Sequence, residues 1–284
     1  MSDALTPIIH RVAHELIQIE GVIAVVLGGS RGRNAADASS DTDIGIYYDG
    51  MNPPSIDALR SLGARLDDRH SRDVVTNFGD WGPWINGGGW LTIDGHAFDW
   101  LYRDYHLVEQ VIDECRAGKP KIFYQAGHPQ GFWTSIYMGE VHLCQSLIDP
   151  HGKLAQLKAL TSPYLPALKQ ALIQGNLWEA GFALETSRKS IKRGDILHVS
   201  GGFFRSAICL VQVLFALNER YCLNEKGALS QVDTFPLHPP NFISTVTSVL
   251  ECLGSTTSPL ADNLERMFEM VEEVNVLVNT QSFG

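Results

Sequence analysis

Two short segments of the chain could do chemistry together: Gly28-Gly29-Ser30-Arg31-Gly32 and, after a gap of ten residues from Ser30, Asp41-Thr42-Asp43. Glycines let backbone N–H groups approach a polyanion closely, and a sharp strand-ending turn aims those donors. Ser30 adds a hydroxyl; Arg31 either adds positive charge or faces solvent. Asp41 and Asp43 are two apart on an extended segment, so both carboxylates project from one face. Two hard oxygen donors on one face suit Mg²⁺. A pair of such ions about 3.5–4 Å apart would clamp the attacking and leaving oxygens of an in-line phosphoryl displacement. A third carboxylate is needed, and Asp99, set between Phe98 and Trp100, is the best candidate. A charge in an apolar strand is costly unless it has a task. Asp99 would bind the second metal or take the proton of an attacking hydroxyl. Its plainer reading is an edge-strand acid paired with Arg103 or facing water. Asp94 competes for the same role, but Asp94-Gly95 is explained by turn chemistry.

The elements that must position these residues are legible. Ile8, Ile9, Val12, Leu16 and Ile19 recur at helical spacing. Val22–Leu27 is a short apolar run rich in β-branched residues, the signature of a buried strand. The glycine turn breaks it, a polar stretch from Asn34 to Ser40 follows, and Asp41–Tyr48 resumes a strand pattern. Ser55 starts a helix over Ile56–Leu66. Residues Trp81–Trp90 form a Gly- and Trp-rich loop. Trp90–Ile93 and His96–Tyr102 flank Asp94-Gly95, a strong hairpin signal. Helices are expected over Leu107–Cys115 and Phe132–Cys144, then a short strand over Gln145–Ile148. Beyond residue 152 the pattern is helical throughout: Leu154–Leu160, Pro163–Gln174, Leu177–Arg193, Phe203–Asn218, Phe242–Leu253 and Leu260–Val278. The fold class is therefore α+β, a small mixed sheet with flanking helices in residues 1–152, followed by a helical bundle in residues 153–284.

Charge and composition narrow the partners. The 284-residue chain carries a net charge of −10, with 22 Lys and Arg scattered along it. Binding to polymeric nucleic acid normally shows as a basic face, so a small acceptor fits better, a cationic one included. Five cysteines without CxxC spacing read as reduced core thiols. No signal peptide pattern opens the chain, and the longest apolar runs read as too short to span a bilayer. A cytoplasmic location follows as the expectation.

The pattern Gly-Gly-Ser, ten residues, Asp-x-Asp and a later strand Asp resembles the DNA polymerase beta-like nucleotidyltransferase superfamily. The two-part layout is similar to that of the antibiotic nucleotidyltransferases acting on aminoglycosides and lincosamides. The resemblance rests on motif in the first ~150 residues and on architecture alone afterwards. It implies Mg²⁺-dependent transfer of a nucleoside monophosphate, AMP from ATP or another NTP, onto a small-molecule hydroxyl with loss of pyrophosphate. Gly29 and Ser30 match the superfamily's phosphate-loop positions, Asp41 and Asp43 its metal positions and Asp99 its third, catalytic carboxylate, while Gly28 and Arg31 join the nucleotide-binding set by their place in the turn. Relatives of this kind often build a site across two subunits, which leaves a homodimer open. Two rivals share the motif: a protein-adenylylating, antitoxin-like transferase and a non-catalytic nucleotide sensor. Outside the motif, Glu140 reads as an acceptor-binding or general-base group, or as a solvated helix acid. Lys189, Lys192, Asp195 and Lys226 read as phosphate or cleft contacts or as a solvated face, and Tyr221 as a base-stacking ring. The Trp-rich loop either grips a ring-shaped or cationic acceptor or packs on the sheet.

Overall fold

The computed structural model describes residues 5–33, 40–253 and 257–281, and the chain forms two compact units. The polar stretch Asn34–Ser40 therefore falls, except for Ser40, outside the described residues.

The first unit comprises Met1–Glu114, Lys121–Gly127 and Gly131–Pro163. Its elements are α1 (Leu5–Leu16), β1 (Val22–Leu27), α2 (Gly29–Gly32), β2 (Thr42–Tyr48), α3 (Ile56–Leu66), β3 (Gly88–Ile93), β4 (His96–Asp104), α4 (Tyr105–Arg116), β5 (Ile122–Phe123), β6 (Phe132–Trp133), α5 (Ser135–Leu143), β7 (Gln145–Ile148) and α6 (Lys153–Leu160). The last residues of α4 already belong to the second unit. Five strands make one sheet in the order β3-β4-β2-β1-β7. Only β2 and β4 run parallel; the other neighbours are antiparallel. The sheet is thus mixed, as the α+β expectation requires.

Alternation divides the sheet into two faces. Ile44, Ile46, Tyr48, Leu91, Ile93, Phe98, Trp100 and Tyr102 point one way and form a buried core with Ile9, Val12 and Leu16 of α1 and Leu59 and Leu62 of α3. Helix α3 starts where Ser55 caps it, its side chain accepting from the N–H of Ala58. Its far end is tied down by Asp67, whose fully buried carboxylate accepts from the Thr92 N–H at 2.8 Å and from Arg69 at 2.9 Å. The opposite face, carrying Asp43, Asp99 and Trp90, is only partly covered.

The second unit comprises Cys115–Pro120, His128–Gln130 and Tyr164–Gly284. It contains α7 (Pro166–Ile191), α8 (Ile196–Leu217), α9 (Ala228–Val232), α10 (Phe242–Glu251) and α11 (Thr257–Gln281). Helices α7 and α8 pack along one another, closely enough that a side chain at Gly202 would collide with Ser187 and the carbonyl of Ala183. The expected boundary after residue 152 lies ahead of α6, which packs in the first unit.

Several sequence expectations shift here. The two helices expected over Pro163–Gln174 and Leu177–Arg193 are one, α7. Gly175 does not break it: the space around its Cα is open, and Asn176 bonds back to the Leu172 carbonyl at 2.8 Å. Helix α8 begins at Ile196 because Asp195 caps it, accepting from the N–H of His198. Asp195 is thus a capping residue. The helix expected from Phe132 starts at Ser135, since Phe132–Trp133 pair with Ile122–Phe123 as a hairpin. By length and composition the 22-residue α8 could cross a membrane, contrary to the expectation from apolar runs. However, 72% of its most apolar window is buried inside the protein, as in a core helix.

Candidate active site

Four strands converge on a single transverse row of residues. Leu27 pairs with Ile44, so the next residue, Gly28, lies across from Asp43 and donates its N–H to the Asp43 carbonyl at 2.8 Å. Asp43 is the register partner of Asp99 on β4, and Asp99 is the partner of Trp90 on β3. The row therefore reads Gly28, Asp43, Asp99, Trp90. Directly opposed residues share a face, and each of the three residues sits between buried neighbours in its strand. Asp41, exposed and two residues before Asp43, extends the carboxylates along the same face.

The glycine turn is shaped by the carboxylate beside it. Gly29 has φ +56°, and a Cβ there would overlap the Asp43 Oδ2 position. Only glycine combines that backbone with that contact. Gly32 closes the turn, its N–H bonded to the Gly28 carbonyl at 2.6 Å, and a Cβ on it would strike the carbonyl of Leu27. Arg31 is used internally: its guanidinium donates to the carbonyls of Ser40 and Asp41, and so holds the start of β2 against the turn.

The electrostatics of the row are those of crowded acids. Burial, then the negative charges of Asp43 and Asp41, push the Asp99 carboxyl from an ordinary 3.8 up to about 6. Asp99 sits on an interior strand, not an edge. Arg103 does not pair with it. Arg103 is 3% exposed and makes a two-pronged bond to Glu140 of α5, at 2.7 and 2.6 Å. Burial alone would lower the Arg103 pKa, but the charge and hydrogen bonds of Glu140 outweigh it and raise it instead. The ring of Tyr137 lies 5.6 Å from the same guanidinium. Glu140 is therefore engaged in an ion pair with Arg103 and is not a freely solvated helix acid. Sequence reasoning missed this pair because its members lie 37 residues apart.

The remaining candidates belong to the second unit. Lys189 and Lys226 are exposed, and Lys192 is also exposed beside the end of α7. Tyr221 is 8% exposed and packs on Tyr164, ring centroids 4.7 Å apart; burial raises its pKa, so the phenol stays neutral. The structure thus places Gly28, Asp43 and Asp99 in one row with Asp41 beside it, and gives Arg31, Glu140 and Tyr221 internal partners.

Can the row hold a metal? Among the described residues, no three His, Cys, Asp or Glu side chains form a closed metal cluster. The donor set is nevertheless right for a hard cation: all oxygen, all anionic, on one face, and close enough for Asp43 and Asp41 to disfavour the charge on Asp99. Mg²⁺ is commonly held by one or two carboxylates plus substrate phosphates and water, not by a protein cage.

Residues 9–80, about a quarter of the chain, match the family model described as a nucleotidyltransferase domain. That span contains the glycine turn, Asp41 and Asp43, and stops short of Asp99. No curated protein matches the chain by sequence. Among solved structures, the chain is similar to a nucleotidyltransferase-like protein from Exiguobacterium sibiricum, at 8% identity and a TM-score of 0.45, covering 94% of this chain and 76% of that one.

Proposed function

From the premise that this chain carries a nucleotidyltransferase domain and is a transferase, we propose that the Gly28–Asp43–Asp99 row moves a nucleoside monophosphate, AMP from ATP, onto the hydroxyl of a small molecule. The observation that carries this reading is the register itself: a glycine turn and two carboxylates from three strands lie side by side. The N–H groups of the turn and the Ser30 hydroxyl receive the β- and γ-phosphates, a role backbone donors fill without a side chain in the way. Asp41, Asp43 and Asp99 would hold Mg²⁺, which when bound offsets charge on the transferring phosphoryl group and on the leaving oxygen. The acceptor hydroxyl oxygen bonds to the α-phosphorus as the bond to the pyrophosphate oxygen breaks. Pyrophosphate leaves, and the hydroxyl proton passes to Asp99.

A small acceptor is favoured over a nucleic acid by the net charge of −10. We place the reaction in the cytoplasm, where NTPs are available and free thiols such as the four buried ones here stay reduced. The test is nucleotide choice: purified protein with Mg²⁺, a small-molecule extract and each NTP in turn should release pyrophosphate most rapidly with ATP. Equal release without metal would rule out the metal role.

A further inference from the structure

The fourth member of the row is unused by the chemistry above. Trp90 is 60% exposed, an unusual state for the largest side chain in the middle of a strand. It stacks on Trp81 at 4.5 Å between ring centroids, with the planes 26° apart. The backbone beneath both rings is anchored. The Trp90 carbonyl accepts from Arg69, which is itself held by buried Asp67, and Asp67 also bonds the Thr92 N–H. The Trp81 carbonyl accepts from buried Gln125, whose Oε1 also takes the N–H groups of Trp84 and Ile85. Trp84 in turn is packed against Phe123 and Phe132. The inner part of the Trp loop is thus a fixed frame, and Trp90 is an open flat face mounted on it.

Its position along the row assigns its partner. Phosphoryl displacement is in line, with attacking and leaving oxygens on opposite sides of phosphorus. The glycine turn lies on the β1 side of Asp43, and Trp90 lies on the β3 side of Asp99. If pyrophosphate leaves toward the turn, the attacking hydroxyl arrives from the β3 side, one strand spacing of about 4.8 Å from Asp99. We propose that Trp90, backed by Trp81, is the acceptor platform and favours a hydroxyl carried on a ring with a flat exposed face. This deepens the proposed function and rests on it. An indole stacks on such faces and attracts positive charge held over it, whereas an open-chain polyol offers no face to stack.

The test uses the full chain, a non-hydrolysable ATP analogue and Mg²⁺. Calorimetry compares analogue binding to wild type, Asp43→Ala and Trp90→Ala. Saturation-transfer NMR on the analogue complex then compares methyl glucoside and glucosamine as saccharide rings and 4-hydroxybenzyl alcohol as an aromatic ring with sorbitol and glycerol. The expected result is that Trp90→Ala binds the analogue within twofold of wild type. The ring probes bind wild type about tenfold more tightly than the polyols, and Trp90→Ala removes that preference while Trp90→Phe keeps part of it. Which ring arm responds tells the ring chemistry. Tenfold weaker analogue binding by Trp90→Ala would mean that the indole holds the base, and would overturn the proposal. So would ring and polyol probes that bind wild type alike, or a ring preference that survives the substitution. If wild type and Asp43→Ala bind the analogue equally, the nucleotide site itself is wrong, and the platform falls with it for a separately visible reason.

Discussion

At the scale of single residues, Asp99 carries opposed demands. Its raised carboxyl means that the folded chain holds this proton more tightly than the unfolded chain does. The stabilisation from that proton is complete below the unfolded value near 3.8 and is lost as pH rises through about 6. At pH 7.5 the metal-free protein therefore bears an ionised carboxylate it would be more stable without. Asp99→Asn should raise metal-free stability at that pH by about 1–2 kcal/mol, after allowance for its partial exposure. It should also lower kcat by about 10²–10⁴-fold. Thermal melts at pH 7.5 and pH 4.5 check the first part, since the gain should shrink at the lower pH; a variant less stable at both would sink it. Gly29 is the companion case. Gly29→Ala forces a left-handed backbone on an L-residue, about 1–2 kcal/mol, and drives a methyl into the Asp43 carboxylate. A denaturant titration should show that loss together with loss of nucleotide binding. Wild-type binding by the alanine variant would show that the turn is not the phosphate seat.

At the scale of elements, strand register decides which residues meet, and part of it was open to sequence reasoning. A two-residue Asp94-Gly95 loop pairs Ile93 with His96, and counting outward pairs Trp90 with Asp99. The hairpin was legible, so the position of Trp90 beside Asp99 followed from it without structure. The parallel pairing of β2 with β4 did not follow, because α3 and β3 intervene and no local signal sets a non-local register. Nor did the joining of α7 through Gly175, where packing of a 26-residue helix outweighs one poor helix former. The Arg103–Glu140 pair shows the same limit: residues of β4 and α5 look unremarkable alone and bind together on the site side of the sheet. Glu140→Ala leaves a buried guanidinium unpaired and should cost about 3–5 kcal/mol, whereas replacing both, Arg103→Met with Glu140→Leu, should cost much less. Chemical denaturation of the three proteins measures this. If Glu140→Ala proved neutral, the pair would not hold α5 to the sheet.

At the scale of the whole molecule, two compact units of different texture are joined in one acidic chain. The first contains every residue of the row; the second is helical among its described residues. Motif and fold class were readable because glycine turns, paired carboxylates and helical periodicity are local signals. The phosphate and cleft roles read onto Lys189, Tyr221 and Lys226 had only residue type behind them, and Tyr221 is occupied by Tyr164. The central claim is that the row performs nucleotidyl transfer, and its most direct test follows the α-phosphate. ATP labelled at the α-phosphate is incubated with Mg²⁺, a small-molecule extract and either wild type or Asp43→Asn. The account predicts pyrophosphate and a new labelled product in equal amounts with wild type, and neither above background with Asp43→Asn. Labelled product formed by Asp43→Asn at the wild-type rate would contradict it.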